Sequence, residues 1–185
     1  MSLAILLAIV FALGWVPIFY FRAEAISEAF PSYRGSERVW TVAAPAVVSL
    51  HVAASCFFLS TLASLPWARA LASSALFAGG IAFWFWARQA ISPWRVRRLP
   101  DEAPSRLRRD GAFGLVRNPL YFAMLLTAAA PAVAAGEPML AMTYAAALLC
   151  LIVRSMQEER RLHEQLGAEY ADYSRTVKRL VPFVW

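Results

Sequence analysis

Formal charge is absent from five long runs of this chain: Met1–Phe21, Val39–Ala68, Ala70–Ala87, Asn118–Gly136 and Pro138–Val153. A helix that crosses a bilayer needs about 20 mainly apolar residues, with about 17–25 as the usual range. The first three runs clear that range. The last two lie near its lower edge and can lengthen through polar residues at their ends. The pattern predicts an all-α integral membrane protein with about five transmembrane helices, built as a single membrane domain over residues 1–185. There are no repeats, low-complexity tracts or soluble domains.

Helix breakers and aromatic clusters refine the boundaries. Span one is expected near Leu3–Phe21, kinked at Pro17, since membrane helices tolerate proline when neighbours satisfy the freed carbonyl. Arg22–Arg38 mixes Ile26, Phe30 and Tyr33 with charges and is expected to lie along the interface. Span two, near Val39–Leu62, holds Pro45 and His51. Span three, near Leu71–Ile91, contains Gly79-Gly80, where small residues permit close helix approach. It continues into Phe83-Trp84-Phe85-Trp86, an aromatic belt near the water boundary. Residues 88–118 are the longest polar connection, and Pro93, Pro100 and Pro104 make it a cytosolic loop with short helical pieces.

The last two spans are expected to form a hairpin about Gly136-Glu137-Pro138, with Pro119 in the first turn of the fourth, where its missing N–H costs nothing. No Gly or Pro occurs from Met139 to Leu166. One helix over that stretch is about 42 Å long, enough to leave the bilayer and carry Glu158 and Glu159 outside it. Gly167 is its expected stop. The tail, with Tyr170, Tyr173, Phe183 and Trp185 among charges, reads as a cytosolic or interfacial helix.

Charge placement sets the orientation. With five spans, all of the 18 lysines and arginines except Arg69 fall on one side. The positive-inside rule makes that side cytoplasmic, with the N-terminus outside and the C-terminus in the cytosol. Four spans would break this segregation. Met1–Phe21 has no basic leader and no small-residue cleavage pattern, so it reads as a retained helix rather than a signal peptide. The expected location is a bacterial inner membrane or an endomembrane. Overall composition agrees: 60% of residues are hydrophobic and 16% charged, against about 25% charged in ordinary globular domains. The net charge of +6 does not point to nucleic acid, because the basic residues hug span ends as topology determinants and anionic-lipid contacts do. Cys56 and Cys150 fall inside spans, without metal or disulfide spacing, and read as small buried apolar residues.

Candidate chemistry gathers in the last third. Arg154 and Glu158 are four apart and share a helix face, with Glu159 about a third of a turn away. Alone, this would be a surface ion pair worth about 0–1 kcal/mol. Closing the hairpin, however, brings Arg117, Asn118 and Tyr121 beside Arg154, Glu158 and Glu159 at one membrane surface. Such a set suits a free amino-acid head group, with arginine taking its carboxylate and glutamate its ammonium. His51, mid-span, is either a functional ionisable group or a neutral imidazole hydrogen-bonded to a neighbouring helix.

The order and spacing of these residues resemble a known family. Gly111-x-Phe113-x-x-x-Arg117-Asn118-Pro119-x-Tyr121, then Glu158-Glu159-x-x-Leu162, Leu166-Gly167-x-Glu169-Tyr170-x-x-Tyr173 and Pro182-Phe183 resemble the isoprenylcysteine carboxyl methyltransferase family and its phospholipid methyltransferase relatives. The match covers about Arg88–Trp185. The resemblance implies an integral membrane enzyme that transfers a methyl group from S-adenosylmethionine to a lipid or lipophilic small molecule at the cytosolic face. Residues 111–185 would form the cofactor-binding region. Carried over by position, Arg117, Asn118, Pro119, Tyr121, Arg154, Glu158 and Glu159 would belong to the cofactor site. Arg88 would sit near the methyl-accepting group, and equally reads as an anchor snorkelling from its span end.

Two departures matter. Asn118 stands where the family often has histidine; it donates and accepts hydrogen bonds but cannot take up a proton near neutrality. The N-terminal half carries no match, which leaves the acceptor open. A carboxylate acceptor would need only orientation, by Arg88, whereas an amine or thiol would need a base, for which Glu158 and Glu159 are candidates. Alternatives are an NADPH-dependent membrane reductase with a similar Arg-x-Pro-x-Tyr plus Glu pattern, and a non-catalytic membrane scaffold.

Overall fold

A computed structural model describes residues 2–29, 35–62, 64–90 and 107–182, with the side chains of 21–29 left aside. The described residues form seven helices: α1 Leu3–Ala29, α2 Ser36–Thr61, α3 Trp67–Ala90, α4 Ala112–Leu115, α5 Pro119–Ala135, α6 Pro138–Leu166 and α7 Ala168–Thr176. One isolated parallel bridge joins Val116 to Lys178. The fold is therefore all-helical. Four helices (α1, α2, α3 and α6) are long and apolar enough to cross a membrane, and α5 is a shorter apolar helix of 17 residues.

The breakers act where local chemistry places them. Gly136 ends α5 in the left-handed region, φ 68°, and its N–H reaches the Ala132 carbonyl at 2.9 Å. Pro138 then opens α6 and Pro119 opens α5. Gly167 caps α6 and at once starts α7. Three boundaries differ from expectation. α1 runs on to Ala29 instead of stopping at Phe21. α2 begins at Ser36 and α3 at Trp67, each a few residues early. In all three cases a helix continues past the apolar run, because intrahelical hydrogen bonding does not end where hydropathy does. Residues 30–34 of the expected interfacial segment and 91–106 of the expected loop lie outside the described residues, as does Phe183. The loop's described part contains the short α4.

Packing does not follow the hairpin. α5 lies chiefly on α3, and α6 chiefly on α2; the arms of the hairpin touch each other less than each touches its neighbour. Gly80 explains the first pairing. A Cβ there would come within 2.9 Å of the Thr127 backbone nitrogen, so α3 and α5 approach closely only at glycine. Gly79 faces open space. Phe83 and Phe122 extend the contact edge to face at 5.1 Å. Trp84 is buried while Phe85 and Trp86 are exposed, so the aromatic run is half core and half surface.

His51 explains the second pairing. It is fully buried, with Nε2 donating to the Ala128 carbonyl of α5 and Nδ1 facing the Thr143 hydroxyl of α6, both at 2.8 Å. A carbonyl only accepts, so the neutral ring carries its proton on Nε2. The imidazole thus bolts three helices together. At the other end of α6, Arg161 pairs with Glu37 of α2 at 3.3 Å.

Candidate functional site at the mouth of the hairpin

Helix ends and a C-terminal strap position the site. Gly111 turns into α4 at φ 59°, a conformation that favours glycine. α7 docks on this turn: the Tyr173 hydroxyl donates to the Phe113 carbonyl at 2.6 Å, and Arg109 donates to the Glu169 carbonyl at 3.0 Å. Beyond α7 the chain runs beside residues 116–118. The Arg117 and Asn118 amides donate to the Lys178 and Arg179 carbonyls at 2.8 and 3.0 Å. The start of α5 is thereby held against α6 and α7 before any side chain is considered.

Two carboxylates organise the side chains, and they do different things. Glu159, 7% exposed, accepts from both Nε and Nη2 of Arg117 at 3.2 and 3.1 Å, from Asn118 at 2.7 Å and from Arg179 at 3.0 Å. Arg117 also donates to the Ser174 carbonyl at 2.8 Å. A buried carboxylate gripped by a bidentate arginine, a second arginine and an amide has its lone pairs satisfied by protein. These residues come together as expected, and they bind one another in a hydrogen-bonded knot. Asn118 stands at the N-cap of α5 but makes no side-chain cap, because its amide is spent on Glu159. Pro119 is buried and serves the backbone of that turn.

Glu158 is the other case. Its side chain is 30% exposed, and one oxygen accepts from the Tyr121 hydroxyl at 2.5 Å and from Arg154 at 3.2 Å. Arg154, only 2% exposed, also donates to Gln157 at 3.0 Å. This is no surface ion pair: the guanidinium is inside the bundle, where charge is kept only if paired.

Tyr121 and Arg154 line a small cleft of about 20 Å³, room for about one water, between α1, α2, α5 and α6. Ile18 and Phe19, with Met124 and Leu151, make its apolar walls, and Thr41, Ala44 and Pro45 its α2 side. Arg117, Asn118 and Glu159 are not among the residues that line this cleft. Arg88 ends α3, half-buried, on a helix that packs chiefly on α4 and α5 rather than on α6.

Residues outside the expected set complete the picture. Arg179 is a full member of the Glu159 knot. The buried Tyr170 hydroxyl has no hydrogen-bond partner among the described residues, and such groups are uncommon enough to mark a place for water or a ligand. Burial, then the Glu159 carboxylate, push its phenol up, with Arg117 opposing. Burial likewise pushes Tyr173 up to about 12. The cleft's α1 and α2 walls come from the half of the chain without recognisable motif. One sequence signal pointed there: Pro45 stands four residues after Thr41 and cannot donate to its carbonyl. Among the described residues, no group of three or more His, Cys, Asp or Glu could hold a metal ion. No family model, curated protein or solved structure matches the chain.

Proposed function

We propose that the protein is an integral membrane methyltransferase that uses S-adenosylmethionine and modifies a lipid or lipophilic small molecule at the cytosolic membrane face. The observation that carries this reading is the Tyr121–Glu158–Arg154 triple, a partly exposed carboxylate shared by a phenol and a buried guanidinium at the polar end of an intramembrane cleft. The topology that goes with it has five spans, with α5 as the fourth. At about 1.5 Å per residue α5 is about 26 Å long, close to the hydrocarbon thickness of about 30 Å. The N-terminus is outside and the basic C-terminal region cytosolic.

The residues suit a zwitterionic amino-acid head in chemistry. Glu158 offers a carboxylate for an ammonium, Arg154 a guanidinium for a carboxylate, and the Tyr170 phenol an unspent polar atom close to the knot. Arg117, Asn118 and Glu159 act as the buttress that fixes α5 against α6 and α7, and Pro119 fixes the turn. S-adenosylmethionine supplies a methyl group already activated by its sulfonium. The protein then has to hold the acceptor in line and exclude water. Where the acceptor carries a proton, Glu158 is the carboxylate that receives it.

Calorimetry with S-adenosylhomocysteine on purified protein tests this reading. The wild type should bind, and Glu158→Ala should weaken binding by at least about tenfold, about 1.4 kcal/mol. A wild type that takes up no S-adenosylhomocysteine refutes it.

A further inference from the structure

The α2 wall of the cleft carries a break in its own hydrogen-bond ladder. Pro45 has no N–H, so the Thr41 carbonyl, four residues earlier in the same helix, loses the donor that an α-helix gives it. Thr41 and Pro45 both line the cleft, so the break opens onto it. The Thr41 hydroxyl is directed elsewhere, donating to the Glu37 carbonyl at 2.6 Å. A carbonyl freed by proline in a membrane helix is satisfied by a neighbouring helix, a polar side chain or an ordered water. Much of the cleft wall is apolar, made by Ile18, Phe19, Met124 and Leu151, whose side chains have no donor to offer. The space of about 20 Å³ admits one water and no chain.

A single carbonyl does not hold a buried water, which makes about three hydrogen bonds. The other walls provide the remainder, because Tyr121 of α5 and Arg154 of α6 also line the cleft and both are buried. A phenol oxygen that donates its hydrogen to a carboxylate keeps lone pairs, and a guanidinium carries five N–H groups. A bond from each to water is therefore compatible with the bonds they make to Glu158 and Gln157. We infer that the cleft is a hydration site for one ordered water. The water donates one hydrogen to the Thr41 carbonyl and the other to the Tyr121 oxygen, and accepts from Arg154. It ties the kink of α2 to the Tyr121–Glu158–Arg154 triple, so the half of the chain without a motif supports the polar cluster of the other half. The site rests on the cavity and on Pro45, not on the methyltransferase reading.

The test is an experimental structure of the full chain in lipid nanodiscs, at a resolution that shows ordered water, set beside the same structure of Pro45→Ala. The wild type should show one water within hydrogen-bond distance of the Thr41 carbonyl oxygen and of Tyr121 or Arg154. Alanine returns an N–H to that carbonyl, so the variant should lose the water. A lipid tail in the cleft, a protein donor on the Thr41 carbonyl, or a wild-type cleft without water overturns the site. Those arms stand on the wild type alone, even if the alanine variant does not fold. A water kept at full occupancy in folded Pro45→Ala overturns the part given to the freed carbonyl. Binding of S-adenosylhomocysteine is read separately, so its failure removes the methyl-transfer reading and leaves the hydration site standing.

Discussion

Tyr121 and Glu158, 37 residues apart, meet across the mouth of the α5–α6 hairpin, where the phenol donates to the carboxylate at 2.5 Å. One turn away Asn118 donates to Glu159 at 2.7 Å. The two adjacent glutamates thus face two positions of α5, but only Glu158 keeps appreciable exposure beside a cleft. Adjacent residues on a helix point about a third of a turn apart, which is enough to give one carboxylate to the fold and leave the other for chemistry.

The two glutamates should therefore separate by assay. Glu159→Gln removes the charge that balances Arg117 and Arg179 and should destabilise the protein by about 3–5 kcal/mol, the usual cost of breaking a buried pair by deleting one partner. Glu158→Gln keeps an oxygen for Tyr121 and Arg154 and sits at a partly exposed position, so it should destabilise the protein by less than Glu159→Gln while impairing S-adenosylhomocysteine binding. Thermal melts and calorimetry on the two variants check this; equal melting temperatures would contradict the division of labour.

Tyr121→Phe deletes one donor to Glu158 and leaves Arg154 in place. A loss of about 0.5–1.5 kcal/mol in stability is expected, with a larger proportional fall in methyl transfer to any accepted lipid than in cofactor affinity. Turnover with methyl-labelled cofactor, set beside the binding constant, reads the difference.

Gly79 and Gly80 are neighbours with opposite tolerance. Gly80→Ala drives a Cβ into the Thr127 backbone and should cost about 1–3 kcal/mol. Gly79→Ala meets nothing within 4 Å and should be neutral or stabilising by up to about 1 kcal/mol through helix propensity. Melting temperatures in one detergent suffice.

High pH should unlatch the C-terminal region. Tyr173, with an ordinary value of 10, is pushed up to about 12 by burial, with Arg117 opposing. A phenol raised in the folded state stays protonated while the unfolded chain ionises. Its contribution is therefore complete below pH 10 and drains away as pH climbs through about 12. The melting temperature should fall across that window, and Tyr173→Phe should flatten the fall. A pH titration followed by tyrosinate absorbance and melting checks both.

His51→Leu should destabilise by about 1–3 kcal/mol by removing the hydrogen bonds that tie α2 to the Ala128 carbonyl and the Thr143 hydroxyl, and leave S-adenosylhomocysteine affinity unchanged. A selective loss of affinity in a stable variant would return the residue to the candidate site.

Much of this architecture was legible locally. Inside lipid each helix must satisfy its own backbone, so uncharged runs, Pro119, Gly136, Pro138 and Gly167 announce helices and their ends without reference to the rest of the chain. The meeting of Arg117, Asn118 and Tyr121 with Glu158 and Glu159 was equally readable, because a two-residue turn leaves antiparallel arms little choice of neighbour. Contacts between distant segments were not. That α5 rests on α3 depends on a glycine meeting a threonine backbone 47 positions later. That Glu159 is closed off depends on Arg179 arriving from a strap beyond α7. The place of the cleft depends on α1 and α2, whose sequence carries no motif for a site. Hydropathy and breaker residues act within one helix and speak through composition; the pairing of side chains across helices is set by shape and charge balance, which exist only once the helices have packed.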